Sequence, residues 1–197
     1  MRIIAGTRKG MNLFSPVGRQ TRPITDRAKE SLFDVLFNYD ILDGAIVADL
    51  FCGTGSLGLE ALSRGAGRAT FIDSDRSALD LLQRNIDKAR FTAESHIIRA
   101  NAFKTGAPPS PADATPTKYD IVFVDPPYKA TYDTGMESQL GRLLIVLNEQ
   151  VRPGGLVIVR TEEHANLLDS YGQLRAIDRR RWGSMAVTIL QMTGGQA

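Results

Sequence analysis

The sequence predicts an α/β fold: a doubly wound, mostly parallel sheet with helices on both faces and a small N-terminal hairpin and helix extension. From residue 46 onward, short apolar runs alternate with stretches of helical periodicity, the order of parallel strands joined by crossover helices. The runs are apolar throughout, as in strands covered on both faces. A glycine-rich loop follows the first run and opens a helix. We divide the 197 residues into an N-terminal segment, 1–44, and a main domain, 45–197.

The N-terminal segment predicts a hairpin, a loop and a helix. Residues 2–14 alternate weakly and are broken by Gly6 and Gly10, a pattern typical of a short hairpin. Residues 15–24 are rich in Pro, Gly and Arg and predict a loop. A helix is expected from Thr25, a good capping residue. Its apolar face would consist of Ala28, Leu32, Leu36 and Tyr39.

The main domain predicts alternating strands and helices. Strands are expected at 46–51, 69–72, 97–99, 121–124 and 156–159. Helices are expected at 56–64, 77–89 and 135–149. A turn is predicted at 152–155, a loop at 105–118, and a hairpin over 174–192 around Trp182.

Basic side chains are concentrated in two places. Residues 1–29 carry seven Lys or Arg side chains and one acid, whereas residues 30–159 carry twelve basic and seventeen acidic ones. Three consecutive arginines lie near the C-terminus. This distribution fits a polyanionic partner such as RNA or DNA, although a solvated basic face is an open alternative. The candidate nucleic-acid contacts are Arg8, Lys9, Arg22, Arg27, Lys29, Arg179, Arg180 and Arg181.

Composition argues against several other classes of protein. No apolar run reaches membrane-spanning length, and the N-terminus does not resemble a signal peptide. Cys52 is the single cysteine, which excludes an internal disulfide and fits a cytoplasmic protein. We interpret it as a small buried residue. One cysteine and two separated histidines offer few ligands, so no metal site is expected.

The glycine-rich loop predicts a ligand that carries a nucleoside. Gly53, Gly55 and Gly58 follow the first strand with the spacing G-x-G-x-x-G, and Asp73 lies twenty residues after Gly53. This pattern alone is also the dinucleotide fingerprint. A carboxylate at the end of the second strand can accept both ribose hydroxyls of either kind of cofactor.

Asp49 favours S-adenosylmethionine over a dinucleotide. A carboxylate beside the loop repels a pyrophosphate but attracts the ammonium and sulfonium groups of S-adenosylmethionine. The alternative is that Asp49 is a structural cap of the loop. Asn101 and Ala102 follow the third strand and are expected at the adenine, with Phe103 or a neighbour packed on its face. The predicted cofactor site also includes Phe51 and Ser74.

The sequence Asp125-Pro126-Pro127-Tyr128 predicts methyl transfer to an aromatic amino group. It follows the fourth strand, at the edge where doubly wound sheets bind their ligands. The Asp125 carboxylate and the Pro126 carbonyl can accept the two amino hydrogens and so favour a nucleophilic nitrogen. Pro127 stiffens the turn, and Tyr128 offers a face on which a base can stack. An ordinary turn after a strand is the alternative for this motif alone.

These segments resemble a known family. Residues 49–66 (DLFCGTGSLGLEALSRGA) and 124–128 (VDPPY) resemble class I methyltransferases that act on amino groups. Residues 1–6 (MRIIAG) and 22–33 (RPITDRAKESLF) narrow the resemblance to bacterial small-subunit ribosomal RNA guanine-N2 methyltransferases of the RsmD type. The resemblance covers most of the chain and is weakest at 105–118 and after about residue 160.

The resemblance implies a Rossmann-like sheet of seven strands. It implies that Asp125 to Tyr128 hold a guanine of 16S ribosomal RNA, within the assembling small subunit. The N-terminal segment, with Arg22, Thr25 and Arg27, would cover the cofactor and contact RNA. The S-adenosylmethionine ligands would be Asp49, Gly53, Gly55, Asp73 and Asn101, and the product would be S-adenosylhomocysteine.

Two positions depart from the family pattern. Asp73 stands where Glu is common, and the shorter acid can perform the same function. Arg160 stands at the end of the fifth strand, where the pattern has an acid, so a substrate contact from that strand is in doubt. Trp182 either stacks on RNA or packs in the hairpin.

Three other functions compete with this hypothesis. The first is a DNA or other RNA amino-methyltransferase that acts on adenine N6 or cytosine N4. A DNA enzyme of this kind usually needs an extra target-recognition region, for which 197 residues leave no room. A nicotinamide-dependent oxidoreductase has no use for the Asp125 motif and is disfavoured by Asp49. A non-catalytic RNA-binding assembly protein would gain nothing from the Asp125 carboxylate.

Nothing in the sequence requires an oligomer, so a monomer is expected.

Overall fold

The structure, a computed structural model, describes residues 1–15, 24–109 and 117–194. Its described part contains one eight-stranded sheet, in the order β3-β2-β1-β4-β5-β8-β7-β6. The strands are β1 Ile46–Leu50, β2 Arg68–Asp73, β3 Ser95–Arg99, β4 Tyr119–Val124, β5 Val151–Glu162, β6 Ser170–Tyr171, β7 Leu174–Trp182 and β8 Met185–Met192. The helices are α1 Asp26–Asn38, α2 Ser56–Ser63, α3 Arg76–Ala89, α4 Ala102–Thr105 and α5 Gln139–Val146. Short 3-10 helices span Gly6–Arg8, Tyr128–Thr131 and Leu147–Glu149.

The sheet confirms the doubly wound α/β prediction. Strands β1 to β5 pair in parallel, and β8, β7 and β6 add antiparallel pairs at one edge. The strand number is a correction, because the sheet has eight strands and not seven. The additional strand is β6, whose two residues pair with the start of β7. Two residues are too few to show a period in the sequence.

Two apolar layers enclose the sheet. Neighbouring strand residues face opposite layers: Val47 and Phe123 lie in the layer of α1, α2 and α3, whereas Ala48 and Val124 lie in the layer of α4 and α5. This three-layer arrangement explains why the central strands are apolar on both faces. It also leaves the carboxyl ends of the parallel strands as one edge on which polar groups can gather.

Element boundaries follow local hydrogen bonds. Thr25 begins α1 as predicted, because its Oγ1 accepts a hydrogen bond from Ala28 N at 3.3 Å. Ser138 caps α5 in the same way, through Gly141 N at 2.9 Å, so this helix begins at 139 and not at 135. The predicted turn at 152–155 lies within β5, as a register irregularity opposite the start of β4.

The two predicted hairpins are present. At the N-terminus, Arg2 pairs with Asn12, and Ile3 N donates a hydrogen bond to Met11 O at 2.9 Å. Strands β7 and β8 form the C-terminal hairpin, which turns after Trp182. The first segment shares the apolar layer of α1 to α3, and the domain boundary at residue 44 stays a prediction. No helix in the described ranges has the length and apolar character needed to cross a membrane.

Candidate active site

The predicted site residues lie at one edge of the sheet. The carboxyl ends of β1, β2 and β4 carry the glycine-rich loop, Asp73 and Asp125. Asp125 N donates a hydrogen bond to Leu50 O at 3.3 Å, which joins the Asp125–Tyr128 turn to the end of β1. The parallel sheet therefore brings the predicted cofactor loop and the predicted catalytic motif together.

Asp49 is buried beneath the glycine-rich loop. Its Oδ2 accepts a hydrogen bond from Gly58 N at 2.8 Å, in the first turn of α2. Burial raises the pKa of this carboxyl to about 7, against the opposing effect of that hydrogen bond. The bond supports the interpretation of Asp49 as a structural cap. A contact with the cofactor is compatible with the cap, and stays a prediction.

The loop backbone is fixed by Asp73 and by glycine geometry. Asp73 Oδ2 accepts a hydrogen bond from Gly53 N at 2.9 Å, and its Oδ1 accepts one from Asp75 N at 2.9 Å. Gly55 has a φ of +84°, and a Cβ there would lie 2.4 Å from Leu82 Cδ1. A Cβ on Gly53 would meet no atom within 4 Å. The loop is therefore held tightly on one side and faces open space at Gly53.

An aromatic pair follows β1 and β3. The rings of Phe51 and Phe103 lie 4.6 Å apart at an angle of 54°. Phe51 adopts a left-handed φ of +58°, and Asn101 Oδ1 accepts a hydrogen bond from Phe103 N at 3.0 Å. Ala102 is buried beside them, and Ser74 is exposed after β2. The sequence suggested Phe103 as a packing partner for adenine but not its pairing with Phe51.

The predicted catalytic turn leads directly into a 3-10 helix. Pro127 precedes the 3-10 helix Tyr128–Thr131, whose last residue, Thr131, is fully buried. Thr131 Oγ1 donates a hydrogen bond to Tyr128 O at 2.8 Å. The buried Thr131 side chain thus anchors the backbone that carries the partly buried Tyr128 side chain.

Arg160 reaches this turn from β5. Its Nε lies 2.8 Å from Asp125 Oδ1, and its guanidinium carbon lies 5.9 Å from the centroid of the Tyr128 ring. Burial raises the pKa of Asp125 to about 6, whereas the charge of Arg160 lowers it. Sequence reasoning saw position 160 only as a departure from the family pattern. The available signal was a charged residue immediately after an apolar strand next to β4.

The prediction that Lys29 contacts nucleic acid is wrong, because its side chain is fully buried. Its Nζ donates hydrogen bonds to Arg2 O at 2.6 Å and Ser56 Oγ at 3.2 Å, and lies 3.3 Å from Glu60 Oε2. Burial lowers the pKa of Lys29, against the effect of Glu60. Lys29 therefore fastens α1 to the N-terminal segment and to the first turn of α2.

The other basic candidates differ in accessibility. Exposed side chains are Lys9, Arg27, Arg180 and Arg181. Arg8 is partly buried, and its Nε donates a hydrogen bond to Ala89 O at 2.6 Å. Arg179 is partly buried and donates hydrogen bonds to the carbonyls of Glu163 and Ala165. Arg22 lies outside the described residues, as do residues 110–116 of the predicted 105–118 loop. Contact of these side chains with nucleic acid stays a prediction.

Asn85 was missed by sequence reasoning. This fully buried residue of α3 donates hydrogen bonds to Thr54 O at 3.0 Å and Phe14 O at 3.1 Å. It also accepts one from Phe14 N at 2.7 Å. Asn85 thus links the N-terminal segment to the glycine-rich loop. An asparagine among the apolar positions of a helix was the only sequence signal.

The donor set fits S-adenosylmethionine. Two carboxylates, Asp49 and Asp73, lie beside the loop and offer negative charge to a cationic ligand. The Phe51–Phe103 pair and the exposed Asn101 offer an aromatic surface and an amide to a nucleobase. The same loop has open space beside Gly53, where a ligand could approach its backbone.

Comparisons with known proteins place the chain among methyltransferases. The family described as "Conserved hypothetical protein 95" matches residues 1–191. YlbH, a candidate rRNA methyltransferase of Bacillus subtilis, is 32% identical over 196 residues, covering 98% of this chain and all of that protein. Ribosomal RNA small subunit methyltransferase D of Haemophilus influenzae is 31% identical over 173 residues, covering 85% of this chain and 82% of that protein. The structure of yhhF, a candidate methyltransferase of Escherichia coli, superposes with a TM-score of 0.79 at 30% identity, covering 98% of each chain.

Proposed function

The chain belongs to the Conserved hypothetical protein 95 family, and from that premise we propose that it methylates the N2 amino group of a guanine in 16S ribosomal RNA. The observation that carries the proposal is the Asp125–Tyr128 turn, which is hydrogen-bonded to the end of β1 beside the glycine-rich loop. That neighbourhood suits transfer between a cofactor on the loop and an amino group on the turn.

S-adenosylmethionine is the cofactor of class I methyltransferases, the fold class of this chain, so the cofactor predicted from the sequence is confirmed. When bound, it supplies a methyl group on a positively charged sulfur. We assign its ammonium and sulfonium end to the neighbourhood of Asp49 and its ribose to Asp73. We assign the adenine to Asn101, Ala102 and the Phe51–Phe103 pair.

The catalytic turn would orient the target amine. Asp125 Oδ1 is buried and accepts no aligned hydrogen bond from the described residues, so it can accept one from an amino hydrogen. The Pro126 carbonyl would accept the second hydrogen, and the Tyr128 ring would stack on the base. As the nitrogen gains its methyl group it must lose one proton, which the Asp125 carboxylate is placed to accept. Most of the acceleration would come from alignment of the two reactants.

Two features support ribosomal RNA as the substrate. The relatives in Bacillus subtilis and Haemophilus influenzae carry the names of rRNA methyltransferases. Four exposed basic side chains offer contacts to phosphates, Lys9 and Arg27 on the N-terminal segment and Arg180 and Arg181 near the end of β7. Guanine N2 as the target is suggested by the N-terminal signature alone. The assembling small subunit as partner, and action as a monomer, belong to the same proposal.

The test is transfer of labelled methyl from S-adenosylmethionine to three substrates in parallel. These are unmodified small ribosomal subunits, naked 16S RNA and duplex DNA, each digested afterwards to identify the modified nucleoside. We expect N2-methylguanosine from a ribosomal substrate and none with Asp125→Ala. Label in DNA alone would overturn the RNA assignment but keep the chemistry. Full biological activity of the Asp125→Ala variant would favour a non-catalytic assembly role.

A further inference from the structure

Arg160 and Asp125 are neighbours because of strand register. Val124 of β4 pairs with Val159 of β5, and each of the two charged residues comes one position later in its chain. The register of β4 and β5 therefore brings Arg160, within β5, next to Asp125, the first residue after β4. Thirty-five positions of sequence separate the two side chains.

This pair is sheltered from water. The side chain of Arg160 is 11% exposed and that of Asp125 is 22% exposed, so their attraction is less screened than that of a surface ion pair. Arg160 also lies against the Tyr128 ring, at 5.9 Å from its centroid. One guanidinium thus touches both the acid and the aromatic residue of the catalytic turn.

We propose that Arg160 is a positioning residue for methyl transfer, which holds the Asp125 carboxylate ionised and in place and supports the Tyr128 ring. The proposal rests on the proposed function, because it assigns Arg160 to the same reaction. Arg160 acts here through Asp125 and Tyr128, without taking part in the transfer.

The ionised state of Asp125 matters for the reaction. Only the carboxylate form is a pure acceptor; a protonated acid would present a hydroxyl donor to an amino group that is itself a donor. Burial raises the pKa of Asp125 to about 6, which favours the unsuitable form. The charge of Asp125 in turn raises the pKa of the buried Asp49 carboxyl on β1. Arg160 is the cation that opposes the effect of burial, and among the described residues the Tyr128 ring also lies near its guanidinium.

The geometry also leaves Asp125 Oδ1 able to accept a hydrogen bond from the substrate amino group. Arg160 Nε is close to Asp125 Oδ1, but Oδ1 accepts no aligned hydrogen bond from the described residues. The contact is therefore an ion pair that stabilises charge while the oxygen can still accept an amino hydrogen. A well-aligned hydrogen bond at the same atom would compete with the substrate.

The first experiment is the pH dependence of kcat with saturating S-adenosylmethionine and RNA. For the wild type we expect the rate to fall as pH drops through about 6, the pKa of Asp125. For Arg160→Met we expect this acid limb to move up by ~1–3 pH units, the usual effect of losing an opposite charge at contact distance. At the high-pH plateau much of the rate should return. Arg160→Lys should keep the limb near its wild-type position.

The matched control is Arg175→Met, which removes an exposed arginine from β7 of the same sheet. It should leave the pH profile and the KM for S-adenosylmethionine unchanged. If Arg160→Met lowers the rate equally at every pH, Arg160 has only a structural role and the proposal fails. Should this variant fold poorly in a thermal unfolding scan, Arg160→Gln provides the same loss of charge with a polar side chain.

A second measurement separates this proposal from the proposed function. Carbon-13 NMR titration of the Asp125 carboxyl, in the full protein without RNA, reports the coupling directly. An upward movement of the titration in Arg160→Met supports the coupling even if no RNA is methylated, and in that case the proposed function fails by itself. An unchanged titration overturns the role of Arg160 whatever the substrate.

Discussion

At the scale of single residues, Asp49 links cofactor binding to pH. Burial raises the pKa of its carboxyl from the ordinary value near 4 to about 7. Between these two pH values the carboxyl is protonated in the folded, unliganded protein but ionised in the unfolded chain. This carboxyl thus lowers the stability of the unliganded protein as pH rises from about 4 to about 7. A cationic ligand favours the ionised form and therefore gains affinity as pH rises through about 7.

We expect S-adenosylmethionine to bind roughly ten-fold more weakly at pH 6 than at pH 8, because about one tenth of Asp49 is ionised one unit below its pKa. Isothermal titration calorimetry across this range measures the effect. Asp49→Asn should bind more weakly at pH 8 and lose the pH dependence, whereas Asp80→Asn, an exposed acid of α3, should resemble the wild type. An unchanged pH dependence in Asp49→Asn would refute this assignment.

Gly58 is required for close packing beneath the loop. A Cβ at this position would lie 2.4 Å from Phe71 Cε1 and 3.2 Å from Asp49 Oδ2, and the Phe71 ring is fully buried. We expect Gly58→Ala to lower the free energy of unfolding by ~1–3 kcal/mol, the usual cost of overpacking. It should also weaken cofactor binding, because Asp49 must move. Urea unfolding and calorimetry test both effects.

Gly135→Ala is the control for that variant. Its Cβ would approach only Asp133 Oδ1, at 3.3 Å, in a partly exposed loop. Stability and cofactor affinity should stay close to wild type. If Gly58→Ala were equally harmless, the first turn of α2 would have room that the structure does not show.

At the scale of elements, a buried ion pair attaches α1 to α2. Glu60 accepts hydrogen bonds from Ile4 N at 2.7 Å and Ala5 N at 3.0 Å, and also pairs with Lys29 and Arg64. Removal of Lys29 leaves a buried carboxylate with one cation fewer. We expect Lys29→Met to lower the free energy of unfolding by about 3 kcal/mol, the low end for a broken buried pair, because Arg64 remains.

Urea unfolding of Lys29→Met, Glu60→Gln and the double variant measures the coupling. The double variant should lose less than the sum of the two single losses. Arg27→Met, an exposed position of the same helix, should change stability by less than ~0.5 kcal/mol. A similarly small effect of Lys29→Met would indicate a solvent-exposed lysine, which the predicted contact with nucleic acid requires.

Elements with a clear period were predictable, and long-range partners were not. The alternation of apolar strands with helices, the glycine spacing and the cap at Thr25 are local signals, and the structure bears them out. Burial of Lys29 depends on Glu60, thirty-one positions further along the chain. The Arg160–Asp125 contact likewise depends on which strands pair. Such contacts are set by topology, which local periodicity does not encode.

Two element boundaries were predicted incorrectly, for a different reason. Helix α5 begins at Gln139 because Ser138 forms a side-chain cap there, whereas the sequence pattern predicted a start at residue 135. The glycines at 154 and 155 read as a turn, yet β5 continues through them as an irregularity in its pairing with β4. In both cases the local sequence is compatible with two hydrogen-bonding patterns, and the structure adopts the one that the sequence pattern did not indicate.

At the scale of the whole molecule, exposed basic side chains lie near the carboxyl ends of the parallel strands, where the candidate active site is. Arg180 of β7 pairs with Val187 of β8, which pairs with Arg160. The tip of the β7–β8 hairpin therefore lies beside the carboxyl end of β5. On the other side, α1 meets the first residue of α2 through Lys29 and Ser56, directly after the glycine-rich loop. Arg27, near the start of α1, is thus close to the same edge.

This arrangement predicts a salt-dependent affinity for RNA. Each phosphate contact releases counterions, so the logarithm of the affinity should fall linearly with the logarithm of salt concentration. Lys9→Gln with Arg27→Gln, and Arg180→Gln with Arg181→Gln, should each make the slope shallower by ~2, about one per lost contact. Filter binding of 16S RNA at several salt concentrations gives the slopes. Lys118→Gln should not change the slope, because this exposed lysine precedes β4 at the opposite edge. Equal slopes in the wild type and in both double variants would mean that RNA binds another face of the protein, without contacts to these four basic side chains.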